Sequence, residues 1–243
     1  MRLTRVYVDL DLEAGQTLDL PPGPAQHLVQ VLRLRPGDPL EVFNGDGRDF
    51  PAQVLIAHRH GVQIRLEAPG KPEPDPPLSI HLGIGISKGD RMDFALQKAV
   101  ELGVTTLSPL FAGRAVVRLE GERLDKRLDH WRGVTIAACE QSGRRRLPTL
   151  NPAQPLAAWL SLNHPSPLLL DHRAARTLPS LAAPGPALTL LIGPEGGLTP
   201  AERDLAYGVG FTGVRLGPRI LRTETAPLAA LAIAQALWGD LRS

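Results

Sequence analysis

The chain has 243 residues, a formal net charge of +2, 43% hydrophobic and 21% charged residues, which suits a folded globular protein with one large core or two modest ones. Its single cysteine, Cys139, excludes an internal disulfide and a multi-cysteine zinc site. No apolar run approaches the roughly 18 residues of a membrane span, and the start Met1-Arg2-Leu3-Thr4-Arg5-Val6 lacks a signal-peptide core, so a cytoplasmic protein with no membrane or metal partner is expected.

The charge is unevenly spread, with 8 Lys+Arg against 11 Asp+Glu in residues 1–75, 12 against 8 in 76–150, and 7 against 6 in 151–243. Only four of the 27 basic residues are lysines, which leaves 27 − 4 = 23 arginines. Arginine forks pair with phosphates and stack on bases, which suits RNA. A GC-rich or thermophilic genome produces the same bias, so the count alone decides nothing.

From the N-terminus, Arg5-Val6-Tyr7-Val8, Leu40-Glu41-Val42-Phe43, Gln53-Val54-Leu55-Ile56 and Val62-Gln63-Ile64-Arg65-Leu66 read as strands. Asn44-Gly45-Asp46-Gly47 is a hairpin signal between two of them. Ala25 to Leu34 reads as a helix or turn stopped by Pro36-Gly37. Short strands with one helix predict a small β-barrel over residues 1–72. Its acidic balance keeps it from being the main electrostatic anchor for a nucleic acid. Four prolines between Lys71 and Pro77 mark a linker, placed at 73–77.

A second domain is expected over 78–243. It opens with an apolar strand from Leu78 to Ile86, where Gly83-Ile84-Gly85 suggests a dinucleotide fingerprint, but Lys88 replaces the third glycine and the motif fails. Helices follow over about Asp90–Leu102, with Met92, Leu96, Ala99 and Leu102 facing the core, and over Glu122–Ser142. Gly143 stops the second one, and Arg144-Arg145-Arg146 follow at once. Those cations either complement the helix carboxyl end or clamp an RNA backbone. Cys139 is expected to be packed rather than catalytic. Residues 151–186 hold one clear strand, Leu168-Leu169-Leu170, ending at Asp171-His172. A histidine there is either a base or, more commonly, an ordinary surface residue.

The last fifty residues hold two strand–loop–helix units. In the first, Leu188 to Ile192 leads into Gly193-Pro194-Glu195-Gly196-Gly197, and Thr199-Pro200-Ala201-Glu202 opens a helix as a capping box. In the second, Gly213 to Gly217 leads into Pro218-Arg219-Ile220-Leu221-Arg222-Thr223-Glu224-Thr225 and a helix apolar nearly all round, which predicts burial in the core or against another subunit. Strands apolar throughout belong to a parallel sheet covered on both faces, and ligands sit beyond the carboxyl ends of such strands. Glycine density there leaves backbone N–H groups open to a ligand.

GPEGG followed about twenty residues later by LGPRILRTETA resembles the ribosomal RNA small subunit methyltransferase E family of the SPOUT superfamily; HLVQVLRLRPGD, KGDRMDFALQKAVELGV and CEQSGRRRLP extend the resemblance over both domains. The resemblance implies a PUA-like RNA-binding β-barrel, an α/β domain with a parallel sheet and a C-terminal trefoil knot, and a homodimer. It also implies S-adenosyl-L-methionine as cofactor and N3 of a uridine in 16S ribosomal RNA as the methylated atom. The cofactor residues implied are Leu170, Ile192, Gly193, Pro194, Glu195, Gly196, Gly197, Leu216, Gly217, Ile220, Leu221, Arg222, Thr223 and Ala226. The implied RNA contacts are Arg33, Arg35, Lys88, Arg91, Arg144 and Arg145. Leu198 departs from the family, in which an aromatic is common.

Chemistry selects further. N3 of uracil becomes a nucleophile only as its proton leaves, and charge then spreads onto O2 and O4. Arg222, the basic residue in the core of the second loop, is the expected cation. Glu195 or Glu224 would take the proton, or either caps a helix N-terminus. Three other readings compete: a non-catalytic RNA-binding assembly factor, a SPOUT methyltransferase acting at a different RNA position, and a phosphate-binding enzyme using GPEGG as an anion nest. Against the last, the chain has no G-x-x-x-x-G-K-[ST] motif.

Overall fold

The structure is a computed structural model, and it describes residues 3–115 and 119–242. The chain divides into two compact units: residues up to Asp75 together with Cys139–Leu147, and Pro76–Ala138 together with Pro148 onward.

The first unit holds β1 (Thr4–Tyr7), β2 (Thr17–Asp19), the short helix α1 (Pro22–Gln26) running into a π-helical turn at His27–Val31, then β3 (Pro39–Phe43), β4 (Phe50–His58) and β5 (Gly61–Leu66). They form one five-stranded sheet in the order β1-β3-β4-β5-β2, with β1 parallel to β3 and the other pairs antiparallel. The expected hairpin forms between β3 and β4, with a longer turn than two residues. Asn44 Oδ1 accepts from the Asp46 N–H at 3.2 Å, and Asp46 Oδ1 from the Arg48 N–H at 2.8 Å. Gly45 and Gly47 take φ of 91° and 97°, angles that favour glycine. Alternate strand residues point inward, so Val6, Val42, Val54 and Ile64 build the core together with Leu28 from the π-helical turn. The sequence pattern missed β2, whose three residues are too few to show a period.

The second unit starts with β6 (Ser79–Gly85), α2 (Asp90–Glu101), β7 (Thr106–Phe111) and α3 (Glu122–Ser142). It continues with β8 (Thr149–Leu150), β9 (Gln154–Pro155), α4 (Leu156–Leu160), β10 (Pro167–Leu170), β11 (Ala187–Ile192), α5 (Pro200–Gly208), β12 (Thr212–Val214) and α6 (Thr225–Trp238). The sheet order is β12-β10-β11-β6-β7-β8, with β9 also on β7, and every pairing is parallel. In β11 Leu188 to Ile192 are all buried, as a strand covered on both faces requires. Thr199 caps α5: its side chain accepts from the Glu202 N–H, and Glu202 answers by accepting from the Thr199 N–H at 2.7 Å. α4 is one turn long, too short for helical periodicity to show.

Within the single chain α6 is buried only in part. Pro227, Ala230, Leu231, Ala234 and Gln235 are buried, while Leu228, Ile233, Leu237 and Trp238, spread around the helix, remain partly exposed. Among the described residues no helix is long and apolar enough to cross a membrane.

Candidate active site

β12, β10 and β11 lie side by side and parallel, so the loops that follow them open at one edge of the sheet. Those loops line a cavity of about 550 Å³, within the size range of sites for small ligands. Leu170 ends β10 and Asp171 to Arg173 follow it, Ile192 ends β11 and Gly193 to Leu198 follow it, and Leu216 with Arg219 to Glu224 follow β12. Of the fourteen residues expected to hold a cofactor, thirteen line this cavity. Gly217 does not; it makes the turn behind the loop at φ 91°.

The loops are tied to one another by hydrogen bonds. Thr223, buried in the second loop, donates from Oγ1 to the Gly193 carbonyl of the first at 3.0 Å and lies 3.3 Å from Ser87 Oγ after β6. Glu195 Oε1 accepts from the Lys88 N–H at 2.8 Å and from Arg91 Nη1 at 3.4 Å. Arg114 Nη1, after β7, donates to the Gly196 carbonyl at 3.3 Å. The glycines of GPEGG answer to the loop's own packing. A Cβ on Gly196 would lie 2.9 Å from Arg114 Cβ, and one on Gly193 would lie 3.0 Å from the Leu198 nitrogen.

Two carboxylates face the cavity with their side chains 17% exposed each, Glu195 and Glu224, and in each the buried Oε2 accepts no hydrogen bond from the protein. Burial pushes the Glu195 carboxyl up, but hydrogen bonds from the Lys88 N–H, its own backbone, Ser87 and Arg91 outweigh it and hold the group below the usual carboxylate range. Glu195 is therefore ionised and a weak base at neutral pH. Glu224 stands at the N-cap position of α6 without a side-chain capping bond, so at that helix end its carboxylate acts through charge alone. Arg222 is 80% exposed, with Nη1 4.0 Å from Glu224 Oε1. The neighbouring Ile220 is 75% exposed at the cavity edge, an apolar surface that a flat ring would cover.

The sequence reading did not single out Arg114, Arg203 or Tyr207, which belong to other elements and reach this edge only in the folded sheet. Asp171 and His172 were noticed as a strand end. Asp171 is buried, whereas His172 is half-exposed with Nδ1 3.9 Å from Asp171 Oδ1. Among the described residues no group of three or more His, Cys, Asp and Glu could hold a metal ion.

The expected RNA contacts fall in both units. Lys88 and Arg91 are exposed beside the cavity loop. Arg33 and Arg35 are exposed in the first unit after the π-helical turn, and Arg33 has φ 55°, a conformation costing a non-glycine residue roughly 1–2 kcal/mol. The run at 144–146 is half-buried within that unit. Arg145 Nε donates to Asp49 Oδ2 at 2.6 Å and its Nη1 to the Lys71 carbonyl at 2.9 Å. Arg5, with its side chain 7% exposed, bonds the same Asp49 oxygen at 2.8 Å and donates to the Arg144 carbonyl at 3.0 Å. Cys139 is buried, and burial pushes its thiol up to about 11, so it is packed and unreactive.

A parallel sheet whose glycine loops enclose a small-ligand cavity, in a chain that also carries an arginine-bearing β unit, defines the class: the RNA methyltransferase domain model matches residues 74–235, and the RNA methyltransferase PUA domain model matches residues 25–67. Ribosomal RNA small subunit methyltransferase E of Buchnera aphidicola is 33% identical over 99% of this chain and 98% of that protein. A putative methyltransferase from Legionella pneumophila, solved with bound SAM, superposes with a TM-score of 0.96 at 37% identity, covering 99% of this chain and 100% of that one. Ribosomal RNA small subunit methyltransferase E from Neisseria gonorrhoeae, bound to S-adenosyl methionine, gives 0.91 at 40% identity, covering 98% and 99%. The chain belongs to the ribosomal RNA small subunit methyltransferase E family.

Proposed function

We propose that this protein methylates N3 of a uridine in 16S ribosomal RNA, using S-adenosyl-L-methionine. The observation that carries the reading is the cavity itself. Apolar walls at Leu170, Leu216, Ile220 and Leu221 suit a purine, and two carboxylates with unpartnered oxygens suit a cationic cofactor. When bound, the cofactor supplies an electrophilic methyl group on a sulfonium.

The protein's own residues do the rest. Arg222, exposed at the mouth, places its guanidinium against O2 or O4 of the uracil, where negative charge gathers as the N3 proton leaves. Glu224 takes that proton, because its Oε2 is unpartnered while Glu195 is held ionised by the Lys88 backbone and Arg91. Glu195 instead fixes the first loop and adds negative charge near the cofactor.

The proposal extends to the architecture. Residues 1–72 act as a PUA-like barrel that holds RNA, joined by the 73–77 linker to a methyltransferase domain over 78–243 that carries a trefoil knot. The apolar residues of α6 that remain partly exposed, Leu228, Ile233, Leu237 and Trp238, pack against a second copy in a homodimer. Arg33, Arg35, Lys88, Arg91 and Arg144 contact ribosomal RNA in the cytoplasm, whereas Arg145, tied to Asp49 and the Lys71 carbonyl, serves the fold of its unit. The test is to incubate purified protein with small ribosomal subunits lacking modification and labelled S-adenosylmethionine, then digest the RNA to nucleosides for mass spectrometry. N3-methyluridine is expected in 16S RNA; label in another nucleoside or none would overturn the assignment.

A further inference from the structure

Asp171 is 8% exposed in the cavity wall directly after β10. Its backbone N–H donates to the Val214 carbonyl at 2.9 Å, so the residue prolongs the β10–β12 pairing and its side chain is rigidly placed. Oδ1 accepts from the Arg173 N–H at 3.0 Å, and Oδ2 accepts from Tyr207 Oη at 2.9 Å. Arg203, also on α5, puts Nε 3.9 Å from Oδ2 and donates from Nη1 to the Leu198 carbonyl at 3.0 Å. Gly213 on β12 makes room for the tyrosine, since a Cβ there would lie 2.6 Å from its hydroxyl.

Burial pushes the Asp171 carboxyl up, but the Arg173 N–H, the Tyr207 hydroxyl, Arg203 and His172 outweigh it and hold it below its usual range. Burial and the Asp171 carboxylate in turn push Tyr207 up to about 12, so the phenol stays a donor. Two carboxylate oxygens offer about four lone-pair sites, and the two short bonds occupy two. The group is thus an oriented anion with acceptor capacity remaining beside the cavity.

The charge around it selects the ligand's chemistry. Arg203 already faces this carboxylate, so a second cation placed there would meet its charge. A neutral O–H donor meets no such penalty, and a pair of adjacent hydroxyls would engage both oxygens. An acidic side chain beyond a parallel strand is a known way of holding ribose hydroxyls in α/β folds. Glu224 is the opposite case, with an unpartnered buried oxygen and Arg222 turned to solvent at 4.0 Å. Building on the cofactor reading above, we propose that Asp171, fixed by Tyr207 and Arg203, accepts the ribose hydroxyls of S-adenosylmethionine, so that the adenosine half lies at the 171–173 loop and the cationic half at Glu224.

The experiment is calorimetric binding of S-adenosylhomocysteine and its 2′-deoxy and 3′-deoxy analogues to the full-length protein. Wild type should prefer the parent over at least one deoxy analogue by about tenfold or more, the worth of a hydrogen bond to a charged group. Asp171→Ala should bind the parent more weakly and show a preference near one. A merely structural loss would weaken all three ligands alike and leave the ratio intact. Tyr207→Phe should lower the ratio several-fold, because the carboxylate loses its orientation. If Asp171→Ala does not fold, Asp171→Asn keeps the shape and should reduce the preference to about threefold or less. A wild-type ratio retained in the folded Asp171 variant, or no preference in wild type, overturns the ribose assignment alone. No binding of S-adenosylhomocysteine to wild type overturns the cofactor reading with it.

Discussion

Two arginine-rich regions of this molecule look alike in sequence and differ in structure. At the end of α3, Arg145 and Arg5 share one buried carboxylate oxygen of Asp49, and the peptide N–H groups of Arg145 and Arg146 both donate to Glu73 Oε2. Around the cavity, Arg222 reaches only to 4.0 Å from Glu224 and is exposed, while two carboxylates keep an unpartnered oxygen. The first region pairs its charges with one another inside the unit, although Asp49 Oδ1, Arg5 Nε and Arg146 Nε stay buried there without a hydrogen-bond partner. The second leaves polar capacity unfilled at a concave surface, which is what a ligand requires. Net basicity does not distinguish them; the partner of each charge does.

If the first region is structural, the largest effect should come from opening it. Arg5→Met would leave Asp49 buried with a lost partner, and removing one member of a buried pair costs about 3–5 kcal/mol. Urea unfolding should show that loss, and a change below about 1 kcal/mol would place these arginines with the surface pairs. If the second region is catalytic, Arg222→Ala should lower single-turnover methylation by about 10²–10³, as loss of one preorganised charge stabiliser does. Affinity for S-adenosylhomocysteine should barely move, and near-normal turnover would remove Arg222 from the mechanism.

The smallest effect sharpens the contrast most. Arg33→Ala should reduce the salt dependence of RNA binding by about one unit of slope, the signature of one lost phosphate contact. Arg145→Ala should leave the slope nearly unchanged and lower stability instead. The reverse outcome would exchange the roles assigned to the two residues.

Much of the site was legible beforehand because it is local. Gly193 to Gly197 and Leu216 to Thr225 follow apolar strands, and a strand covered on both faces announces the parallel sheet whose carboxyl edge binds ligands. The α5 capping box was legible for the same reason, since Thr199 and Glu202 are three residues apart and meet within one turn. β2, β8, β9 and α4 were not, because two to five residues cannot display a period, nor was β7, whose six residues carry Ser108 and Pro109 in place of an apolar run. The all-round apolarity of α6 was visible, but which side would be buried was not.

The sequence by itself therefore determined the parallel character of the apolar strands and the family, while the structure groups Cys139–Leu147 with the first unit, which the sequence had placed in the second. Only the tertiary structure decided which charges are occupied. Asp49 lies 44 residues from Arg5 and 96 from Arg145, Lys88 lies 107 from Glu195, and Tyr207 lies 36 from Asp171. Hydrogen bonds and ion pairs act over a few ångströms in space, while a sequence orders residues along the chain. Whether an arginine holds the fold or waits for RNA is settled by what the fold brings within that reach.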